Sequence, residues 1–201
     1  MHYLIVTAHP VQSSLTHGVV QRIAAGIAEG SHSVEIADLA AEGFDPRFST
    51  DDISAFQLQA PIPADVLAEQ QRIDRADAVI LVYPVYWWSM PGQLKGWIDR
   101  VFTNGWAYQD GGDGKVKKKL SHLRVHLAAI GAADRSTYDR HGYTSAIQTQ
   151  IDHGIFDYCG AQVVTSELLL TPEFPHIEAL LASAQALGSK MAGVAQSQMA
   201  L

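Results

Sequence analysis

The run Ala78-Val79-Ile80-Leu81-Val82-Tyr83-Pro84-Val85-Tyr86-Trp87-Trp88-Ser89-Met90-Pro91-Gly92-Gln93-Leu94-Lys95-Gly96-Trp97-Ile98-Asp99-Arg100-Val101-Phe102 reads as a strand, a turn and a helix in succession. Ala78 to Tyr83 is continuously apolar, the pattern of a strand covered on both faces. The helix starts near Pro91, whose fixed φ and missing N–H suit a first turn. It turns Leu94, Ile98, Val101 and Phe102 inward, with Lys95 and Asp99 paired i,i+4 outside. Three of the chain's four tryptophans fall in this block, two of them at the strand-to-helix junction. An indole pair there implies a planar ligand to cover it; the alternative is two rings that close the end of a core.

Apolar strands and amphipathic helices alternate on both sides of this block. Upstream lie a strand at His2 to Thr7 and a helix with Leu15, Val19, Ile23 and Ile27 on one face, ended by Gly30. A short strand at Ser33 to Asp38 comes next, then an irregular excursion from Leu39 to Pro63 marked by Gly43, Pro46, Pro61 and Pro63, then a helix at Ala64 to Arg75. Downstream, Arg124 to Ile130 is a strand, and Gly131 opens a loop that runs past Tyr138 and His141 to Gly142. Ile147, Ile151, Ile155 and Tyr158 stripe a further helix. Ala161 to Leu170 is the fifth strand, and the last helix carries Ile177, Leu180, Leu181, Ala184 and Leu187. The alternation predicts an α/β fold in which residues 1–201 form a single domain. Its doubly wound, five-stranded parallel sheet has the order 2-1-3-4-5, with helices on both faces. In such sheets ligands bind beyond the C-terminal ends of the strands, so the loops that begin at His9, Pro84 and Gly131 converge on one crevice.

A formal charge of −7 argues against nucleic acid or an anionic membrane surface as partner. The chain shows no apolar run long enough to span a bilayer and no signal-like N-terminus, so it reads as soluble and cytoplasmic, without membrane insertion. Cys159 is the only cysteine and sits among Ile155, Phe156 and Tyr158, which suggests a buried thiol rather than a nucleophile. Nine histidines include no set with metal-ligand spacing, and no metal site is expected.

The first loop, His9-Pro10-Val11-Gln12-Ser13-Ser14-Leu15-Thr16, runs straight into a helix. Its serine hydroxyls lie beside free N–H groups at the positive end of the helix dipole, a cradle for phosphate; the plainer reading makes Ser13 an N-cap. Neither a Gly-x-Gly-x-x-Gly fingerprint nor a P-loop is present. The second loop, Pro84 to Ser89, offers backbone groups between rings, which suits a flavin's isoalloxazine. In the third, the Tyr138 hydroxyl is a candidate donor toward charge developing on a ring oxygen, with His141 as the candidate proton partner; the plainer reading makes each a structural residue.

These residues resemble the NAD(P)H:quinone oxidoreductases of the flavodoxin-like fold. The shared segments are Ala8-His9-Pro10, Pro84-x-x-Trp87, Pro91-x-x-Leu94-Lys95-Gly96-Trp97-x-x-Arg100-Val101-Phe102, Trp106-Ala107-Tyr108 and Tyr158-Cys159-Gly160. The resemblance implies His9, Ser13, Leu15, Thr16 and Gly18 around the flavin phosphates, and Pro84, Val85, Tyr86 and Trp87 along the isoalloxazine. Trp88 and Tyr108 would wall the site where nicotinamide and quinone bind in turn. Phe56-Gln57 matches a segment at the adenine end of FAD, which favours FAD over the alternative, FMN. Where the family has Thr-Thr-Gly-Gly beside the ring edge, this chain has Ile130-Gly131-Ala132-Ala133. Tyr138 matches a tyrosine that hydrogen-bonds the flavin; the family's histidine lies six residues on, where this chain has Thr144, and His141 is the nearest histidine.

The resemblance therefore implies two-electron, ping-pong hydride transfer from NAD(P)H through the flavin to a quinone, in a homodimer with shared sites. The alternatives are an azo- or nitroreductase with the same flavin, or a flavin-holding regulatory subunit of a membrane transporter.

Overall fold

The computed structural model describes residues 1–112 and 114–199. In chain order the elements are β1 (His2–Thr7), α1 (Leu15–Glu29), β2 (Ser33–Asp38), α2 (Thr50–Phe56), α3 (Ala64–Arg75), β3 (Ala78–Pro84), α4 (Gly92–Val101), β4 (Tyr108–Asp110) and β5 (Val116–Lys118). Then come β6 (Arg124–Gly131), α5 (Arg135–His141), α6 (Tyr143–Ile147), a π-helix (Gln148–Asp157), β7 (Gln162–Leu170), a 3-10 turn (Thr171–Glu173) and α7 (Ile177–Met199).

Five strands pair in parallel in the order β2-β1-β3-β6-β7, which is the predicted 2-1-3-4-5 once the antiparallel β4–β5 hairpin is set aside. Successive residues of a strand face opposite sides, and both sides here are apolar. Leu4, Val6, Val79, Leu81, Val125 and Leu127 pack toward Ile73 of α3 and Leu94, Trp97 and Val101 of α4. Tyr3, Ile5, Ile80, Val82, Ala128 and Ile130 pack toward Val19, Val20 and Ile23 of α1 and Leu180 and Ala184 of α7. Burying one such aliphatic side chain contributes roughly 1.5–3 kcal/mol, which is why these strands carry no polar alternation.

The excursion is more ordered than its prolines imply. It holds α2, started by a capping box in which Ser49 and Asp52 satisfy each other's backbone N–H groups. Arg100 of α4 fastens it: the guanidinium donates to Asp52 (3.0 Å), to Asp65 of α3 (2.6 Å) and to the Asp45 carbonyl (2.8 Å). Gly96 lets the excursion come close, since a Cβ there would stand 2.3 Å from the Pro46 carbonyl oxygen.

Two other expectations are corrected. The loop after Gly131 is helical where Tyr138 sits: Asp134 caps α5 by accepting from the Thr137 N–H, and Gly142 ends it at φ 69°. The stripe Ile147, Ile151, Ile155 and Tyr158 does not form one face, because residues 148–157 wind as a π-helix. Bonding from i to i+5 brings Ile151 and Phe156, five apart, to the buried side, while Tyr158 is left exposed.

Candidate active site

Beyond β3 the chain makes a two-residue hairpin. The Tyr86 N–H donates to the Ser89 carbonyl (2.9 Å) and the Ser89 N–H to the Tyr86 carbonyl (3.1 Å). Trp87 and Trp88 occupy the two central positions with φ of 49° and 64°, the geometry of a type I′ turn. Such turns favour Asn-Gly; a bulky residue in the left-handed region costs roughly 1–3 kcal/mol, and such strain concentrates at ligand sites. Trp87 gains little burial in return, being 93% exposed.

Trp88 is half-buried. Its indole stacks on Tyr143 at 3.7 Å between centroids, and the Tyr138 ring meets it edge-on at 5.5 Å. Val85, Trp87, Trp88, Ala132, Ala133 and Tyr138 enclose a cavity of about 350 Å³ at the C-terminal ends of β3 and β6. The second and third predicted loops therefore do meet. Pro84 and Val85 continue β3, the Val85 N–H donating to the Ile130 carbonyl (2.8 Å), and Tyr86 is exposed at the turn.

Tyr138 is 1% exposed, and its hydroxyl lies so close to Gly131 that a Cβ there would stand 2.6 Å from the oxygen. Burial, partly opposed by the Arg135 charge, pushes the phenol above its usual range. Near neutral pH it is thus a proton-bearing donor. His141 is at the exposed end of α5, where it stacks on Tyr143 at 5.4 Å and accepts a weak contact from Arg140. Among the described residues no hydrogen bond joins it to Tyr138. Thr144 is half-buried, and its hydroxyl oxygen, shielded from solvent, has no partner among the described residues.

The first loop brings its residues to the start of α1, with one shift of role. Ser14, not Ser13, is the N-cap: its Oγ accepts from the His17 N–H, while Ser13 is exposed. The difference follows from where the helix begins, one residue later than the Ser13 cap requires. Thr16 is buried, Leu15 and Gly18 are half-buried, and Gly18 faces Leu181 of α7. His9 is half-buried with its Nδ1 against Val11 and its ring edge-on to His17.

Tyr108 and Gln57 do not join this cavity. Tyr108 lines a separate groove, also about 350 Å³, with Phe48, Phe56, Phe102, Tyr158 and Cys159. Gln57 is exposed at the end of α2. Cys159 is buried, and burial, opposed by Lys118, pushes its thiol up to about 11. Among the described residues no cluster of three or more His, Cys, Asp or Glu is placed to hold a metal ion, and no helix is long and apolar enough to cross a membrane.

Sequence reasoning missed Tyr143, the ring on which Trp88 rests, and the group formed by Ser14, His17 and Asp38. Only the Ser14-x-x-His17 spacing, that of a cap and its third helical residue, hints at the latter.

Across residues 1–189 the chain matches the family described as flavodoxin-like fold. The chain belongs to that family. Within this flavodoxin-like family, a rat protein named NAD(P)H dehydrogenase (quinone) 1 is 30% identical over 187 residues, covering 83% of this chain and 67% of its own length. The structure named NAD(P)H:quinone oxidoreductase from Methanothermobacter marburgensis superposes with a TM-score of 0.86 at 27% identity, over 95% of this chain and 98% of that one. An FMN-dependent NADH-azoreductase from Bacillus anthracis, solved with FMN, shares the fold at 16% identity and a TM-score of 0.72, over 96% of this chain and 98% of that one.

Proposed function

We propose that residues 1–201 act as one flavin-binding domain that catalyses NAD(P)H:quinone oxidoreduction, with FAD as the cofactor and FMN as the alternative. The observation that carries this reading is the aromatic cavity at the C-terminal ends of β3 and β6. It is lined by rings and built on a strained Trp-Trp turn, and β1, the strand next to β3, leads into a helix N-terminus that offers hydroxyls and free N–H groups. Those features fit a flavin: rings for the isoalloxazine, donors for the phosphates.

A bound flavin supplies a ring that takes a hydride from NAD(P)H and passes it to a quinone. The chain's own residues do the rest. Trp87 and Trp88 hold planar molecules in parallel and exclude water; Tyr138, kept protonated by burial, donates toward negative charge at the ring edge. Ser14, Leu15 and Thr16 receive the phosphates, and Gln57, on the excursion, reaches toward an adenine. Because His141 stacks on Tyr143, proton handling falls to Tyr138 rather than to a Tyr138–His141 pair.

The groove at Tyr108 supports a homodimer. Phe48, Phe56 and Tyr158, each close to half exposed, line it, and a second copy would cover them while carrying Tyr108 to the partner's cavity. The test is the absorption spectrum of the purified protein, mass analysis of the released flavin, and NAD(P)H-dependent reduction of a naphthoquinone, an azo dye and a nitroaromatic side by side. A flavin spectrum with the quinone as the best acceptor is expected. Colourless protein that takes up no added flavin would sink the reading.

A further inference from the structure

At the start of α1 three side chains form a chain of hydrogen bonds. The Ser14 hydroxyl is 2.9 Å from His17 Nδ1, and His17 Nε2 is 2.8 Å from Asp38 Oδ2 at the end of β2. The proton positions follow from the partners. Burial opposes ionisation of Asp38, but hydrogen bonds from Gln12, His17 and the Ala41 N–H hold its carboxyl below the usual range, so it can only accept. His17 Nε2 must then carry a proton. In the neutral ring Nδ1 is bare, and the one proton of the Ser14 hydroxyl is committed to it.

That arrangement suits a phosphate poorly. In the first turn the N–H groups of Leu15, Thr16 and His17 have no helical carbonyl to reach, and Ser14 Oγ takes that of His17 (3.3 Å). The Leu15 and Thr16 N–H groups share that first turn with a serine oxygen that has no proton to offer. A second proton on the imidazole reverses this. Nδ1–H then donates to Ser14 Oγ, whose two lone pairs accept from Nδ1–H and the His17 N–H, and the hydroxyl proton turns to an anion. A positive charge is added behind the cap at the same time.

Resting on the flavin reading above, we infer that His17 is a positioning residue for the cofactor's phosphates: its second proton releases the Ser14 hydroxyl proton from Nδ1 to donate to the phosphate, so that phosphate binding takes up a proton. The titratable groups in contact with His17 are Asp38 from β2 and His9 from the first loop, whose ring is edge-on at 6.2 Å. On the far side of α1, α7 brings apolar Leu181 against Gly18, and the charged side chains of α1 that contact α7, Arg22 and Glu29, lie further along. His9 is therefore the rival source of any proton linkage.

The experiment measures the affinity of the full chain for FAD and for riboflavin by flavin fluorescence, from about pH 5.5 to about pH 8.5, the range in which imidazoles titrate. The FAD diphosphate keeps its charge over this interval, and riboflavin has the ring without phosphate. FAD affinity should fall about tenfold with rising pH while riboflavin affinity stays level. His17→Gln, which keeps a donor for Asp38 but cannot take a second proton, should bind FAD weakly at every pH; His9→Gln should keep the slope. Calorimetry of FAD binding in buffers of different ionisation enthalpy should show proton uptake by the native chain, which does not depend on any variant folding. Riboflavin binding with pH-independent FAD affinity, a slope that survives His17→Gln and is lost in His9→Gln, or binding without proton uptake would each overturn this inference alone. Failure to bind either flavin at any pH would overturn it together with the proposed function.

Discussion

The Trp88 indole and the Tyr143 ring lie 3.7 Å apart between centroids with their planes 11° from parallel. Trp88 sits on a strained turn, and this stack holds its ring, because Tyr143 is itself in contact with His141 (5.4 Å) and edge-on with Tyr138 (6.2 Å). One face of the cavity thus depends on a residue that does not line it. Tyr143→Leu should leave flavin bound but raise KM for the quinone about threefold to tenfold, the equivalent of losing one aromatic pair. Steady-state kinetics check this, and an unchanged KM would mean that Trp88 is held by the turn alone.

The turn itself invites the opposite kind of substitution. Trp87 is almost fully exposed and has φ of 49°, so its side chain returns little for the strained backbone. Asn is at home in that conformation. Trp87→Asn should stabilise the flavin-free protein by about 0.5–1 kcal/mol in urea unfolding while lowering quinone reduction. Loss of stability would show that Trp87 packs on something the isolated chain already provides.

Tyr138 is the donor nearest the ring edge on this reading, and burial keeps its proton in place. Tyr138→Phe should slow reduction of the bound flavin by NAD(P)H about tenfold or more, with flavin affinity changed far less. Stopped-flow absorbance separates the two. Equal rates in the two proteins would take Tyr138 out of the chemistry and leave it a packing residue beside Gly131.

Much of this layout can be read from residue order, because strands buried on both faces and helices with one apolar stripe have patterns that local chemistry enforces. The stripe of Ala64–Arg75 and the apolar run from Ala78 that marks β3 are such cases, and the short edge strand Ser33–Asp38 shows as Val34, Ile36 and Ala37 among polar residues. What stays hidden depends on partners distant in sequence. Ser49 and Asp52 begin a helix inside a proline-marked stretch because Arg100 neutralises Asp52 from another element. The π-helix replaces a four-residue stripe by a five-residue one, and Tyr138 is helical because Asp134 and Gly142 cap a segment only seven residues long. In the site, the Trp pair and Tyr138 are legible as chemistry, whereas the bond from His17 to Asp38 spans 21 residues and has no local signal.

Arg100 and Asp52 form a buried ion pair, with side chains 7% and 3% exposed. Arg100→Met would leave the Asp52 carboxylate desolvated and opposed by no charge, at a cost of about 3–5 kcal/mol. Adding Asp52→Asn should recover a large part of that, because the stranded charge is gone. Chemical denaturation of the two single variants and the double variant gives the coupling. If the single and double variants are equally destabilised, the arginine acts by packing on Phe44, which it covers at 5.3 Å, and not by charge.

His126 gives stability a dependence on pH that has nothing to do with the site. It is buried in β6 with Nδ1 2.9 Å from the Thr165 hydroxyl, and burial, assisted by the Arg124 charge, pushes it down to about 4. An unfolded histidine takes its proton near pH 6.5, so on acidification the unfolded chain binds a proton before the folded one does. The stabilisation is complete above about pH 6.5, is lost as pH falls toward about 4, and does not change further below that, for a total of about 3 kcal/mol. His126→Gln retains a polar group for Thr165 and cannot titrate. The stability of the native chain relative to this variant, from urea unfolding at about pH 7 and about pH 4.5, should therefore drop by about 2–3 kcal/mol between the two conditions. Parallel curves for the two proteins would mean that His126 is protonated without cost in the fold, and that acid sensitivity comes from the carboxylates instead.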